Sequence, residues 1–483
     1  MVIPFCRQGL WLTAWCGFVP LFFALRGKTG KQAFLLAYLS GITFWSGTIY
    51  WLVHVTLPGT LVLILYLSLY FAFFGLVSSY LLSANYYLLS IPSAWVTLEY
   101  IRSHLMTGFP WALLGYSQYK NLPVIQIADI TGVWGVSFLV MMVNVSIFAA
   151  LNYKARSKNQ KIYMVAALGI LAVVLLYGYL MINRKPPTGS QSLRVSVIQG
   201  NIPQALKWRA ESEDYIFDRY LGLTEEALKE NPDLIIWPEA ALPVVLEEDI
   251  TYFDSLRHKV KGYKTPLLFG AVTRREGFYY NSALLVEKGG SLTRRYDKIH
   301  LVPFGEYIPL RSILPFLETI VPIGDIEPGR EYTLFEISSQ KAKTISDIGV
   351  LICFEDLFPE LSRAYAGRGA DVLVNITNDA WYKYTAAPYQ HLQASVFRAV
   401  ENRRPLARAA NTGISCFISS DGRIIFALKD FLGEEIFVRG FLSQDLPADD
   451  KILTLYTRFG DLFPLFCLVL AVYAIIRRNL RKK

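Results

Sequence analysis

The sequence predicts a polytopic α-helical membrane domain joined to an α/β domain, and three observations carry that prediction. Apolar runs of bilayer-crossing length crowd the chain before about residue 183 and return after about residue 459. Between them the composition is that of an ordinary globular domain, with strand and helix patterns in alternation. The averages over 483 residues, 53% hydrophobic and only 18% charged, are too apolar for a soluble protein and owe their excess to the two ends.

Six apolar runs come first, near residues 9–25, 33–53, 60–83, 86–101, 123–152 and 162–182, and a seventh lies near 460–476. Most approach the ~20 residues needed to cross a bilayer, the first and fourth being short. No cleavable signal peptide is expected, because the first run lacks a basic leader and a small-residue cleavage site. The expected domains are therefore 1–185 (membrane helices), 186–458 (catalytic) and 459–483 (a last membrane helix and a basic tail).

Orientation follows from the basic residues. Arg26, Lys28 and Lys31 follow the first run, Lys154, Arg156, Lys158 and Lys161 separate the fifth and sixth, and Arg477, Arg478, Arg481, Lys482 and Lys483 end the chain. With one crossing per run, all three clusters share a face, which the positive-inside rule makes cytoplasmic. The catalytic domain then lies outside. Arg184 and Lys185 sit on the opposite side, within reach of headgroups. The net charge of +9 is thus read as topology and headgroup contact, not nucleic-acid binding. Of the five cysteines, no two have metal-ligand or redox spacing. Glu99, Arg102 and His104, followed by Thr107-Gly108-Phe109-Pro110-Trp111, read as an interfacial aromatic belt with snorkelling charges, or else as a wall of a lipid access route.

Pro186-Pro187-Thr188-Gly189-Ser190 reads as a linker. Strands are expected at 193–199, 234–237, 267–272, 282–287, 349–354, 372–376, 407–410, 414–419 and 423–427. Helices are expected at 211–229, 247–260, 357–368 and 388–403, and 308–347 is taken as a loop or lid-like insertion.

Three polar residues stand at the ends of such strands, where an α/β sheet places its chemistry. Glu239 follows Leu234-Ile235-Ile236-Trp237-Pro238, Lys298 lies in Tyr296-Asp297-Lys298, and Cys353 ends Gly349-Val350-Leu351-Ile352. A strand-to-helix junction offers Cys353 unpaired N–H groups and a positive helix end, which favour thiolate over thiol. A partly desolvated carboxylate takes a thiol proton, and a fixed ammonium stabilises the oxyanion formed when sulfur attacks a carbonyl. Taken singly, each residue has a plainer reading: an acid capping a turn, a surface lysine, a core cysteine.

Together, Trp237-Pro238-Glu239, Tyr296-Asp297-Lys298 with Pro303-Phe304-Gly305-Glu306, and Cys353-Phe354-Glu355 resemble the Glu-Lys-Cys triad of the nitrilase superfamily. That resemblance implies a four-layer α-β-β-α sandwich. With the membrane runs, the chain is similar to the apolipoprotein N-acyltransferase family, and Gln199-Gly200-Asn201-Ile202-Pro203-Gln204, Lys207-Trp208, Thr107-Gly108-Phe109-Pro110-Trp111 and Asn378-Asp379-Ala380-Trp381 extend the likeness. The family commonly has eight membrane helices, against the seven runs counted here.

The resemblance implies Glu239 as general base, Lys298 as oxyanion stabiliser and Cys353 as nucleophile. Glu306 would orient Lys298 or share proton transfer, Phe354 and Glu355 would shape the pocket, Asn281 and Trp208 would support it, and Trp381 and Tyr382 would form a lid. It implies a phospholipid acyl donor, a thioester on Cys353, and a diacylglyceryl-modified apolipoprotein as acceptor, at the outer face of a bacterial inner membrane. A monomer is expected. No metal or nucleotide is called for, since a Gly-rich phosphate loop and a His-rich cluster are both absent from the sequence. A membrane-tethered amidase or nitrile hydrolase acting on a soluble substrate is one rival. A scaffold that only binds lipoproteins is the other.

Overall fold

The computed structural model describes residues 1–82, 87–152, 158–184, 192–308, 326–339, 344–447 and 452–480. The linker at 186–190, Lys154, Arg156, Lys185, the end of the basic tail and residues 309–325 of the expected insertion lie outside the described residues. The chain divides into two compact units, one of Met1–Lys185, Thr385–Glu401 and Thr454–Lys483, the other of Pro186–Tyr384 and Asn402–Leu453. The expected catalytic span of 186–458 thus gives up 385–401 and its last residues to the first unit.

The first unit is helical. Among the described residues, four of its helices are long and apolar enough to cross a membrane: Leu57–Leu81, Val133–Leu151, Met164–Ile182 and Leu462–Leu480. Gly30–Thr48 begins with a reciprocal cap, Thr29 and Gln32 exchanging side chain and main chain. It packs on Leu57–Leu81 through small residues, so close that a Cβ on Gly75 would stand 2.2 Å from that of Ala37. The first apolar run is not one helix. It breaks into a tight turn at Trp11–Trp15 and a seven-residue helix, Val19–Leu25, which starts beside Pro20. Glu99 and Arg102 do not snorkel either, since both are 4% exposed. Arg102 donates to the carbonyls of Phe109 and Trp111, and Glu99 accepts from the N–H of Leu114, so the pair fastens the loop that follows its helix.

The second unit holds two six-stranded mixed sheets. One runs in the order β12-β1-β2-β3-β4-β5, with β1 at Ser192–Gln199, β2 at Leu234–Ile236, β3 at Leu267–Arg275, β4 at Phe278–Val286, β5 at Leu292–Asp297 and β12 at Gly440–Pro447. The other runs β11-β10-β9-β8-β7-β6, with β6 at Leu334–Ser339, β7 at Thr344–Ile352, β8 at Val372–Thr377, β9 at Leu406–Ala410, β10 at Cys416–Ile418 and β11 at Ile424–Ala427. Parallel pairs β1–β2, β2–β3, β7–β8 and β8–β9 form the centres, and antiparallel strands close the edges. The sheets face each other, with helices Glu213–Ala227 and Ile250–Tyr263 on the outside of the first. Helix Glu213–Ala227 buries Ile216, Phe217, Tyr220, Leu221 and Thr224, the one-sided pattern its sequence period predicts. The stretch read as a loop from 308 to 347 contains β6 and the start of β7, paired antiparallel from Leu334↔Gly349 to Ser339↔Thr344.

Candidate active site

Glu239 is placed by what precedes it. The Trp237 ring is fully buried, stacks on Tyr220 at 5.0 Å between centroids, and donates its indole N–H to the Thr224 hydroxyl at 2.8 Å. Gly270 on β3 lets this segment lie flat on the sheet, because a Cβ there would stand 2.6–2.7 Å from Ala240 N, Glu239 Cα and Pro238 O. The Glu239 carboxylate accepts from Asn281 Nδ2 at 2.8 Å and from the Asn378 N–H at 2.9 Å.

Lys298 continues β5 by one more pairing, its N–H donating to the Asn281 carbonyl at 2.8 Å. Its side chain is 1% exposed and points its Nζ between two acids, 2.9 Å from Glu306 Oε2 and 3.7 Å from Glu239 Oε1. Burial works against the ammonium, yet Glu306 and Glu239 outweigh it and hold the lysine charged. Asn281 donates to both carboxylates at 2.8 Å, bridging them on the other side. Glu306 is itself fixed by the Val302 N–H at 2.8 Å.

Cys353 follows β7 at once and has φ +53°, a left-handed conformation that a side chain adopts at a cost of ~1–3 kcal/mol. The chain enters a tight turn, Cys353–Leu357, before helix Pro359–Gly367. Glu355 locks that turn. Fully buried, it accepts from the N–H groups of Ile352, Ile299 and His300 and from the Tyr296 hydroxyl, at 2.8–3.1 Å. Burial pushes its carboxyl up to about 7 despite those donors. One residue thereby ties the cysteine turn to the lysine strand. Asn375 on β8 donates to the Cys353 carbonyl at 3.0 Å, and its own Oδ1 accepts from Arg408 at 2.6 Å. Arg408 is fully buried between Asp356 at 3.0 Å and Asp379 at 3.3 Å.

The site works against the thiolate that a strand-to-helix junction favours. Burial above all, then the Glu239 charge, raises the Cys353 thiol well beyond its ordinary range, and Lys298 only partly offsets them. A short turn at a site 9% exposed supplies less positive potential than desolvation removes.

The N-terminal domain model of the apolipoprotein N-acyltransferases matches residues 1–146, and the carbon-nitrogen hydrolase model matches residues 194–439. An apolipoprotein N-acyltransferase of Geobacter metallireducens is 38% identical over 99% of this chain and 94% of its own length. The chain belongs to the apolipoprotein N-acyltransferase family. A relative of the same name from Rickettsia prowazekii is 34% identical over 84% of this chain and 81% of its own. Among solved structures, an amidase of the nitrilase superfamily from Nesterenkonia aligns with 57% of this chain and 96% of that one, at 21% identity and a TM-score of 0.42. As a member of this family the chain is an enzyme, a transferase with a carbon-nitrogen hydrolase domain.

The remaining residues that the family resemblance singles out are placed unevenly. Phe354 is buried against Phe358 and His300, at 5.0 and 5.8 Å between ring centroids. Tyr382 is half-buried, and the Cys353 and Asp379 charges add to burial in raising its phenol. Trp208 and Trp381 are half-exposed. Sequence reasoning gave no role to Arg408, Asn375, Asn378 or Lys207. Asn378 and Lys207 stood inside quoted motifs, so a signal was present. Arg408 sat within an apolar strand, where an unpaired charge is too costly to be accidental.

Proposed function

We propose that this transferase moves an acyl chain from a phospholipid, through a thioester on Cys353, to the N-terminal α-amino group of a diacylglyceryl-cysteine in an apolipoprotein. The observation that carries this reading is the buried Lys298 ammonium held between Glu239 and Glu306, with Glu239 and Lys298 both acting, after burial itself, on ionisation of the Cys353 thiol. Glu239 takes the proton from Sγ as sulfur attacks the ester carbonyl. Lys298 stabilises the oxyanion, the C–O bond breaks, and Glu239 returns the proton to the departing lysophospholipid. The acceptor amine then attacks the thioester, passes a proton to Glu239, and releases the thiolate, which is reprotonated. Glu306 orients Lys298. Phe354, Glu355 and Asn281 shape and fix the pocket, Trp208 supports it, and Trp381 and Tyr382 form its lid.

Membrane attachment suits the chemistry. A soluble catalyst would have to lift acyl chains out of lipid at ~0.8 kcal/mol per CH₂. We place the helices across the inner membrane several times, with the catalytic unit on its outer face, on the strength of the basic clusters. The test is intact-mass analysis of purified protein given phospholipid alone. An acyl adduct on Cys353 that hydroxylamine removes is expected, with none on Cys353→Ala. An unmodified wild-type protein that still acylates lipoproteins would refute the thioester.

A further inference from the structure

A lysine that none of these roles uses lies beside the general base. Lys207, in the turn 204–208, is 4% exposed, and its Nζ donates to the main-chain carbonyl of Glu239 at 3.0 Å. Lysines are rarely buried to this degree, because an ammonium taken out of water needs compensating charge. That carbonyl is a neutral partner. The compensation has to come from the groups around it.

The turn is held in the same frame as the base. Gln204 accepts from Asn378 Nδ2 at 2.9 Å, while the Asn378 N–H is on the Glu239 carboxylate at 2.9 Å. Asn411 clamps Ile202 through both its N–H and its carbonyl, at 2.8 Å each. The charged and titratable groups facing this corner are Glu239, Glu306, Lys298 and Cys353, with Tyr382 and the Arg408-bound Asp379 behind them. Lys298 offsets one of the two nearer carboxylates. With that ammonium alone the pocket would stay negative, and a negative pocket resists a thiolate. A second ammonium makes it neutral. Burial draws Lys207 down to about 8, against the pull of Glu239 and Cys353.

We propose that Lys207 is a positioning residue of this site, fixing the Glu239 main chain and supplying the second positive charge under which Glu239 accepts the Cys353 proton. The proton passes from Sγ to a carboxylate oxygen, leaving a thiolate and a neutral acid, while Lys207 keeps its own protons. The inference rests on the acyl-transfer reading for its purpose, and on the thiol–carboxylate pair alone for its test.

The experiment is alkylation of Cys353 by iodoacetamide in the full chain in detergent, followed by peptide mass spectrometry across roughly pH 5.5 to 9.5. The thiolate displaces iodide and no lipid takes part. Lys207→Met is expected to slow alkylation at pH 7 by about tenfold and to move the profile up by about one pH unit. Lys207→Arg stays charged, so it should keep the wild-type rate at pH 7 and lose the break that wild type shows near pH 8. A Lys207→Met profile that overlays wild type would overturn the proposal, as would Lys207→Arg slowed as much as Lys207→Met. Should Lys207→Met not fold, wild type against Lys207→Arg decides, and coincident profiles through pH 8 overturn it. Because lipid is absent, failure here leaves the thioester reading standing, and a missing acyl adduct leaves this one standing.

Discussion

Replacing Arg408 with leucine is expected to destabilise the second unit by roughly 3–5 kcal/mol, the usual result of removing one partner from a buried ion pair. The guanidinium and both of its acids are fully buried, with Asp356 at 3.0 Å and Asp379 at 3.3 Å. At an effective dielectric of ~20, each contact carries about 5 kcal/mol of Coulomb attraction, most of it offset by the desolvation of the charges. Leucine removes the attraction and leaves the two carboxylates buried. They respond by holding protons, so their folded-state pKa values rise above the unfolded ~3.9. The sign follows: stability from a raised carboxyl is present at low pH and fades as pH climbs through the folded value. The variant's deficit should therefore be largest near pH 8 and shrink toward pH 5. Thermal melts of the detergent-solubilised chain measure it, at ~2–4 °C per kcal/mol for a domain of this size. A fall of about 6 °C or more at pH 8, a smaller one at pH 5, and partial recovery on adding Asp356→Asn are expected. A melt within ~2 °C of wild type at pH 8, or a deficit indifferent to pH, would refute the reasoning.

Two further substitutions probe the site's support. Gly270→Ala puts a methyl where Glu239 Cα and Pro238 O already stand, so Glu239 must shift. Acyl-adduct formation on Cys353 should fall by ~10²-fold, with the melting temperature less affected than activity, since a small misplacement of a catalytic group costs about that much. Burial pushes the Glu355 carboxyl up to about 7, so stability should decline as pH rises from about 4.5 to above 7. That shift corresponds to on the order of 3 kcal/mol. Glu355→Gln should flatten the slope in pH-dependent melts while lowering stability throughout, because an amide NH₂ meets the donors of Ile352, Ile299 and His300.

What the sequence disclosed and what it withheld have the same physical origin. Strands such as Val372–Thr377 are buried on both faces, so their apolar runs were legible, and the Pro- and Gly-bearing segments at strand ends located Glu239, Lys298 and Cys353. Of the edge strands, β11 was legible, but β5, β6 and β12 were not. β5 reads Leu-Thr-Arg-Arg-Tyr-Asp and buries only Tyr296, and β12 is half-buried along most of its length, so neither carries the alternation that marks a strand. Only tertiary packing distinguishes Lys207, in an unpatterned turn, from a surface lysine.

The same limit governs the chemistry of the nucleophile. Position in the chain told which groups meet at Cys353, but protonation depends on how much water they lose on meeting, which no local pattern encodes. A helix end would have favoured a thiolate had the site been wet. Because the sulfur is buried beside a carboxylate, its proton is held more tightly than that of an ordinary thiol. On the proposed acyl-transfer reading, deprotonation and attack belong to one event, so a substitution that alters the charge around Glu239 should change the rate of attack even where it leaves every contact of Cys353 intact.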